Sequence, residues 1–290
     1  MSDTPPNTPH KTPRKTPKSA SLIGWRAPQN IRWSLRNFSI SSSLMVPRGN
    51  TLHEIEKGRN FDIENFTYDY QGQQVRLGTA MQEDSMDGYI VIQNNAVIFE
   101  KYFDNFRAND HHLWASMTKS LIATAYGIAA AEFDIDETKT PADYVEELAG
   151  SAFSKVSIRD VLNMVTALHY TEEYEDMTPG SVHFEYFRRL GFFADFELLA
   201  LDPMQSDAPR GVHSMLPEFE QAKGGVVGAE FQYQSPNVDV IGLLLERVTG
   251  QSLRDFVQER IWGPLGTEHD ASFNTDVAFS PIATGGFNST

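Results

Sequence analysis

The first thing this chain of 290 residues lacks is cysteine. Without a thiol it can form no disulfide bond, no thiolate zinc site and no cysteine nucleophile. Positive charge is also scarce, because 24 Lys and Arg stand against 39 Asp and Glu, for a formal net charge of −15. That balance argues against nucleic acid and against an anionic membrane as partners. Hydrophobic residues make up 40% of the chain, which is enough for a substantial core.

Targeting signals and long apolar runs are missing as well. The N-terminus lacks the apolar core of a signal peptide, and the longest nearly apolar run, Leu121 to Ala131, is too short to cross a bilayer. Neither G-x-S-x-G nor H-E-x-x-H occurs. The only paired histidines, His111 and His112, indicate a strand-to-helix turn rather than a metal site. We therefore expect a cytoplasmic protein with no metal and no other cofactor.

The composition divides the chain into a tail and a body. Residues 1–22 repeat Thr-Pro among basic side chains, and such a segment cannot bury apolar surface, so we expect it to be disordered. Residues 23–290 form the body. Its first part, to about residue 85, has weak periodicity and is predicted to be an ordered, loop-rich segment that wraps the rest.

The clearest strand signal lies in two β-rich runs, residues 88–93 and 96–103. Asn94 and Asn95 join them, and this pair is well suited to a two-residue hairpin turn. An apolar helical pattern follows closely. The order predicts an antiparallel sheet with helices packed on it, and hence the α+β class.

One motif stands at the start of that helical pattern. Ser116-Met-Thr-Lys119 is the only S-x-x-K in the chain, and no proline follows as far as Ala131. We expect a helix that is apolar nearly all round and therefore buried. Positions three apart share a helix face, so the Lys119 amine would lie near the Ser116 hydroxyl. A neutral lysine amine can deprotonate a serine if its pKa is lowered, which burial and the helix dipole both favour. Alternatively, Ser116 caps the helix and Lys119 reaches solvent.

A second helix is bounded by clear signals. Ser235 followed by proline predicts an N-cap, and Gly250 predicts the C-terminal end. Tyr233, two residues before the cap, would project from the loop at the helix mouth. Another helix is predicted from Ser252 to Trp262. Residues 284–290 are predicted to be a turn that leads into another element, and no compact C-terminal strand or helix follows them.

Several motifs together resemble one known group of enzymes. The sequence is similar to the serine hydrolases of the β-lactamase/penicillin-binding-protein superfamily, and within it to the 6-aminohexanoate-dimer hydrolases and related β-lactamase-like esterases. The likeness runs from about residue 30 to residue 290. It rests on Asn30-Ile-Arg-Trp33, His111-His-Leu-Trp-Ala-Ser116-Met-Thr-Lys119, Tyr233-Gln-Ser235-Pro-Asn237-Val-Asp239, Glu246-Arg-Val-Thr-Gly250, Pro264-Leu-Gly266, Glu268-His-Asp270 and Gly285-Gly286.

The resemblance implies catalytic roles for three of these residues. Ser116 would be the nucleophile that forms an acyl-enzyme, and Lys119 would be the base that activates it. Tyr233 would relay protons to the leaving group and later activate water. The substrate would be a small ester or amide. The fold would be an antiparallel sheet flanked by helices, with a mainly helical lobe.

The same resemblance implies three substrate-binding positions. Ser235 takes the third place of a Tyr-x-Ser motif, and Asn237 belongs to the same stretch. Tyr174 matches a substrate-loop tyrosine of the nylon-oligomer hydrolases. A surface tyrosine beside acidic residues is the alternative for Tyr174.

One element of the family pattern has no counterpart. A Lys-Thr-Gly or His-x-Gly strand, which supplies the second oxyanion N–H, would follow Thr290. We therefore expect residues 23–290 to be an incomplete domain that lacks C-terminal strands and a helix. Losing one oxyanion donor typically costs ~10²–10³ in rate. The alternative to an active hydrolase is thus a truncated, inactive homologue, either an unstable fragment or a binding module.

Overall fold

The computed structural model describes residues 30–38, 42–83, 86–174, 178–191 and 211–290. The tail predicted to be disordered, residues 1–22, lies outside these ranges. In the described ranges, no helix combines the length and the apolarity that crossing a membrane requires.

Strands predominate in the first part of the chain, helices follow one another from Thr118 to Leu265, and two strands come last. The helices are α1 Ile31–Asn37, α2 Leu77–Glu83, α3 Thr118–Glu132, α4 Ile158–Leu162, α5 Val182–Arg189, α6 Pro236–Thr249, α7 Leu253–Val257 and α8 Gly263–Leu265. The strands are β1 Ser43–Val46, β2 Glu56–Lys57, β3 Thr67–Tyr70, β4 Gln73–Arg76, β5 Gly88–Gln93, β6 Ala96–Tyr102, β7 His112–Leu113, β8 Ala271–Asn274 and β9 Phe287–Ser289. This mixture confirms the α+β class.

The largest sheet is antiparallel and joins distant parts of the sequence in the order β1-β8-β9-β7. Val46 on β1 lies opposite Ala271 on β8, and Phe273 on β8 lies opposite Phe287 on β9. Leu113 on β7 lies opposite Asn288 on β9. The sheet therefore pairs the end of the chain, β9, with β7, the strand that leads to Ser116, while β1 lies at the opposite edge.

A second sheet has the order β2-β6-β5 and contains the predicted hairpin. Asn94 and Asn95 both have positive φ, 52° and 60°, as the hairpin turn requires. Strand β2 adds a short parallel pairing to β6. The hairpin prediction is confirmed.

The segment before residue 85 is more regular than predicted. It contains helices α1 and α2, strands β1 and β2, and a separate hairpin of β3 and β4. The loop-rich interpretation was wrong because these elements are only two to seven residues long. Such short elements leave too few residues for a hydrophobic period to register.

The helical lobe packs around α3 and α6 in one large core. Leu121, Ile122 and Ala125 of α3 are buried in it. The expectation that α3 is apolar and buried all round was wrong, because Ser120, Ala123, Thr124 and Gly127 are exposed along its other side. These residues are small, and the sequence alone does not show that they form an exposed face.

Helix α6 ends as predicted and begins differently. Gly250 has a left-handed φ of 68° and its N–H is bonded to Glu246 O, which confirms the C-terminal end. Ser235 occupies the N-cap position, but its side chain makes no capping hydrogen bond. The prediction of a serine cap was therefore wrong in its chemistry, because the hydroxyl donates to Glu172 instead. The helix predicted from Ser252 forms as α7 and continues as a π-helix to Trp262.

Residues 284–290 include a strand that the sequence did not predict. Phe287–Ser289 forms β9 between β8 and β7, and all three residues are buried. Three residues are too few to show the period of a strand. The preceding Gly285-Gly286 also favours the interpretation of this stretch as a turn.

Candidate active site

Ser116 stands at a sharp corner between a strand and a helix. Strand β7 pairs with β9, and Trp114 N–H extends this pairing with a hydrogen bond to Phe287 O at 2.8 Å. Ala115 then has a φ of +47°, in the left-handed region that is strained for a residue with a Cβ. The chain turns at this point into a 3₁₀ turn, Ala115–Met117, and continues as α3. The corner leaves Ser116 exposed.

The other two side chains predicted to be catalytic, those of Lys119 and Tyr233, converge on this serine. Lys119 Nζ lies 3.1 Å from Ser116 Oγ, one turn further along the chain. The Tyr233 hydroxyl donates to Ser116 Oγ at 2.8 Å, across 117 residues of sequence. Lys119 Nζ also lies 5.1 Å from the centroid of the Tyr233 ring. The serine hydroxyl is thus in contact with an amine and a phenol, and nucleophilic catalysis requires an adjacent group that can accept the serine proton.

Lys119 has a second partner, which the sequence did not predict. Its amine donates to the Thr284 carbonyl at 2.7 Å. The N–H of the same Thr284 donates to Asp239 Oδ1 at 3.2 Å, and the Tyr186 hydroxyl donates to Asp239 Oδ2. A buried carboxylate thus lies behind the lysine, connected to it through one residue of the loop before β9.

Glu172 organises another wall of the site. Its Oε2 accepts the Ser235 backbone N–H at 3.0 Å, and its Oε1 accepts the Ser235 hydroxyl at 2.7 Å. The Tyr174 hydroxyl also donates to Oε1, at 2.8 Å. The Tyr174 ring packs edge-on against His183 and Phe187. One carboxylate therefore fixes both Ser235 and Tyr174.

An open pocket of about 250 Å³ lies beside these residues, and Ser116 and Lys119 line it. Glu172, Tyr174 and Ser235 lie along one wall. The remaining wall is mostly apolar and consists of Leu113, Ala115, Tyr186, Phe187, Leu190, Thr284 and Gly285. The pocket combines an apolar surface with a few polar groups near the serine, which is typical of small-molecule sites.

Asn237 is not among the residues brought to this pocket. It is fully buried on α6, and its Oδ1 accepts a hydrogen bond from the Thr166 hydroxyl at 3.1 Å. It lines a separate cavity between α3, α4 and α6. Asn237 follows Ser235 by two residues on a helix, and residues at that spacing face different directions.

Burial shifts the pKa of several groups around the site. Burial raises the pKa of Asp239 to about 7, although the hydrogen bond from Tyr186, the charge of Lys119 and the Thr284 N–H act in the opposite direction. Burial and the nearby charge of Asp239 raise the pKa of Tyr186 well above its ordinary value. Burial likewise raises the pKa of Tyr170, and the charge of Glu172 adds to that rise.

An ion cluster supports the corner from the other side. Asp87, just before β5, contacts Arg32 and Arg36 of α1, and His112 Nε2 of β7 lies 3.4 Å from its carboxylate. Burial raises the pKa of Asp87, but the hydrogen bonds from His112 and Arg36 and the two arginine charges outweigh burial and hold it below its usual range. His112 lies on β7, the strand that leads to this turn, and its side chain contacts Asp87. Across the described ranges, no three acidic or histidine side chains are grouped to hold a metal ion.

Sequence reasoning missed Glu172, Asp239 and Thr284. Asp239 carried a signal, since it is the one charge in an apolar run from Val238 to Leu245. Glu172 is one of several acids in its loop and has no such distinction. Thr284 acts through its backbone, which no side-chain motif reveals.

The fold and the cluster of Ser116, Lys119 and Tyr233 are those of a serine hydrolase, and comparison with known families identifies the family. The model of the family described as Beta-lactamase matches residues 68–289. The chain belongs to this family, whose members are serine hydrolases.

Individual relatives agree with this assignment. The chain is 30% identical over 214 residues to the 6-aminohexanoate-dimer hydrolase of Paenarthrobacter ureafaciens, covering 74% of this chain and 51% of that protein. The chain therefore spans about half the length of this curated relative. A solved structure of a provisionally named 6-aminohexanoate-dimer hydrolase from Bacillus anthracis is similar with a TM-score of 0.81 at 22% identity, over 95% of this chain and 69% of that one. A penicillin-binding protein from Bacillus halodurans has a TM-score of 0.51 at 16% identity, over 74% and 70%. These structures bear out the β-lactamase/transpeptidase-like fold that the sequence resemblance implied.

Proposed function

We propose that this chain carries the site of a hydrolase that cleaves small amides or esters through an acyl-enzyme on Ser116. The observation that carries the proposal is the simultaneous contact of Ser116 Oγ with Lys119 Nζ at 3.1 Å and with the Tyr233 hydroxyl at 2.8 Å. An amine that has given up its proton can accept the serine proton, and a phenol can pass a proton onward.

Acylation follows from these contacts. Ser116 Oγ attacks the substrate carbonyl carbon while its proton moves to neutral Lys119. The bond to the leaving group then breaks as Tyr233 donates its proton to the departing nitrogen or oxygen, and the proton on Lys119 restores the phenol. The products of this half-reaction are a free amine or alcohol and an ester on Ser116.

Deacylation reverses the proton flow. A water molecule attacks the ester carbonyl, and Tyr233 relays the proton of that water toward Lys119. The Ser116 oxygen leaves and takes up a proton, which regenerates the resting contacts. The second product is a carboxylic acid.

The pocket favours a small, largely aliphatic substrate. Leu113, Phe187 and Leu190 supply apolar surface, and the volume of about 250 Å³ suits a short chain. Tyr174 and Ser235, which Glu172 holds in place, offer hydroxyl groups to a polar substrate atom. The relative named as a 6-aminohexanoate-dimer hydrolase supports a linear amide as the first substrate to test.

A covalent probe tests the proposal directly. A fluorophosphonate should label the purified chain at Ser116, as located by peptide mass spectrometry, and Ser116→Ala should abolish labelling. Ser120→Ala is a matched control, since Ser120 lies on the exposed side of α3, and it should label normally. Turnover of p-nitrophenyl butyrate and of an aminohexanoate dimer is then compared with the Ser116→Ala background.

A non-catalytic homologue is the competing outcome. It would bind amide analogues in the same pocket without covalent labelling. Labelling at another serine, or labelling that survives in Ser116→Ala, would overturn the assignment of the nucleophile.

A further inference from the structure

A fully buried carboxylate lies directly behind the candidate base and has no part in the chemistry above. Asp239 is 0% exposed on the second turn of α6. Its two hydrogen-bond donors, the Thr284 N–H and the Tyr186 hydroxyl, are both neutral. Burying an ionised carboxylate against neutral donors is costly, so a residue of this kind is expected to have a function that offsets the cost.

The contacts of Thr284 connect Asp239 to Lys119. The Thr284 N–H donates to Asp239, and the Thr284 carbonyl accepts from Lys119 Nζ at 2.7 Å. Gly286, two residues on, is held on both sides, through its N–H to Ile282 O at 2.9 Å and through its carbonyl to the Asn274 N–H at 2.7 Å. The bond from the Thr284 N–H to Asp239 anchors the residue whose carbonyl holds the lysine amine beside Ser116.

Charge provides the second connection. The titratable groups that face Asp239 come from each packed element: Lys119 from α3, Tyr170 after α4, Tyr186 from α5 and Asp276 after β8. Lys119 is the only cation among them, and its charge acts to lower the pKa of Asp239. Asp239 and Lys119 are therefore coupled by charge as well as through Thr284.

We propose that Asp239 is a positioning residue that sets both the place and the charge state of Lys119. Through Thr284 it holds the amine against Ser116. Through its charge it attracts the protonated amine, so that removing this charge should ease transfer of the proton. The effect on catalysis rests on the proposed function, in which Lys119 is the base, whereas the contacts of Asp239 do not depend on it.

The first experiment is the pH dependence of Ser116 labelling by the fluorophosphonate. In Asp239→Asn, which keeps the side-chain shape, the midpoint of the ascending limb should move to lower pH by about one unit, because one nearby negative charge is gone. Tyr186→Phe removes one donor and retains the carboxyl group. It should move the midpoint in the same direction by a smaller amount. Glu146→Gln, which removes one charge at the exposed surface, should leave the midpoint unchanged.

A purely structural role predicts a different pattern. It would lower the labelling rate or the stability in Asp239→Asn without moving the midpoint, and that result would overturn the proposal. A midpoint that moves equally in Glu146→Gln would also overturn it, because the effect would then be one of net charge.

The second experiment does not depend on labelling. With ¹³C at the lysine ε-carbons, the Lys119 signal is assigned by its loss in Lys119→Arg and followed through a pH titration. Asp239→Asn should shift the titration of this one signal to lower pH. If Ser116 is never labelled but the Lys119 titration shifts, the proposed function fails and the inference stands. If labelling occurs and the titration is unmoved, the inference fails alone.

Discussion

Glu172 accepts both the backbone N–H and the hydroxyl of Ser235, at 3.0 and 2.7 Å. Ser235 thereby gives up the capping role that its position before Pro236 indicated. Glu172 also accepts the Tyr174 hydroxyl at 2.8 Å, so the loop that carries Tyr174 is attached to the start of α6. Three hydrogen bonds to one carboxylate couple the shape of the pocket to a single side chain.

Replacing this carboxylate should loosen the pocket. In Glu172→Gln, a neutral amide replaces the charged acceptor, and hydrogen bonds to charged groups contribute more than neutral ones. We expect the free energy of unfolding to fall by about 1–2 kcal/mol in urea titrations. Weaker binding of an amide substrate analogue should accompany it. Glu173→Gln is the matched control, and an equal loss in that exposed neighbour would contradict the role given to Glu172.

Lys119→Arg should remove the base and preserve the positive charge. A guanidinium does not give up its proton near neutral pH, so it cannot accept the serine proton. The rate of Ser116 labelling should fall about 10²–10⁴-fold, the usual contribution of a general base. Lys155→Arg, on the surface, should label at the parent rate. An arginine variant at residue 119 that labels normally would rule out Lys119 as the base.

Tyr233→Phe should separate amides from activated esters. An amine leaving group needs a proton, whereas p-nitrophenolate departs without one. Single-turnover acylation by an amide, followed by intact-protein mass spectrometry, should slow about 10²–10⁴-fold. Acylation by p-nitrophenyl butyrate should slow much less. Equal losses for the two substrates would show that the Tyr233 hydroxyl acts by holding Ser116 rather than by protonating the leaving group.

The buried carboxyl of Asp239 should make stability pH-dependent. Its pKa is raised from 3.8 to about 7 in the folded chain, so the folded state binds the proton more tightly than the unfolded state. The penalty of ionising it grows as pH rises from about 4 to about 7, and it amounts to roughly 4 kcal/mol above that window. Urea titrations should therefore show that Asp239→Asn gains stability relative to the parent chain as pH rises from 4 to 8. A constant difference would contradict the raised pKa.

Asp87 should show the opposite dependence. Its folded-state pKa is held below the ordinary value of 3.8, so the stability it contributes is present above that pH and is lost as pH falls. Asp87→Asn should be most destabilising at pH 5–7, with a difference from the parent that shrinks below about pH 4. Asp134→Asn, an exposed acid with positive φ that asparagine tolerates, serves as the control.

Local chemistry in the sequence predicted the parts of the site that depend on near neighbours. Ser116 and Lys119 meet because a helix brings positions three apart onto one face, and the β5–β6 hairpin forms because Asn94 and Asn95 accept positive φ. Tyr233 could be predicted only from the family resemblance. Its hydroxyl lies 2.8 Å from Ser116 Oγ although the two residues are 117 positions apart, and no local rule predicts such a contact.

The parts of the structure that the sequence did not predict depend on contacts between residues far apart in the chain, which override local preferences. Ser235 has the sequence of a cap, yet a carboxylate 63 residues earlier takes its hydroxyl. Phe287 of strand β9 is buried against Phe273 of the preceding strand and against Trp114, which is distant in sequence. Propensity describes what a segment does alone, and in both cases tertiary packing decides the outcome.

The position of β9 also has a consequence for the order of folding. Leu113 pairs with Asn288, and Lys119 is held by Thr284, at sequence separations of 175 and 165 residues. Contacts this distant form late, because the intervening chain must first be brought together. The serine corner and its lysine thus receive their support only when residues 284–289 arrive. In a nascent chain, residues 112–119 would leave the ribosome before residues 284–289, so these supporting contacts could form only after β9 had been synthesised.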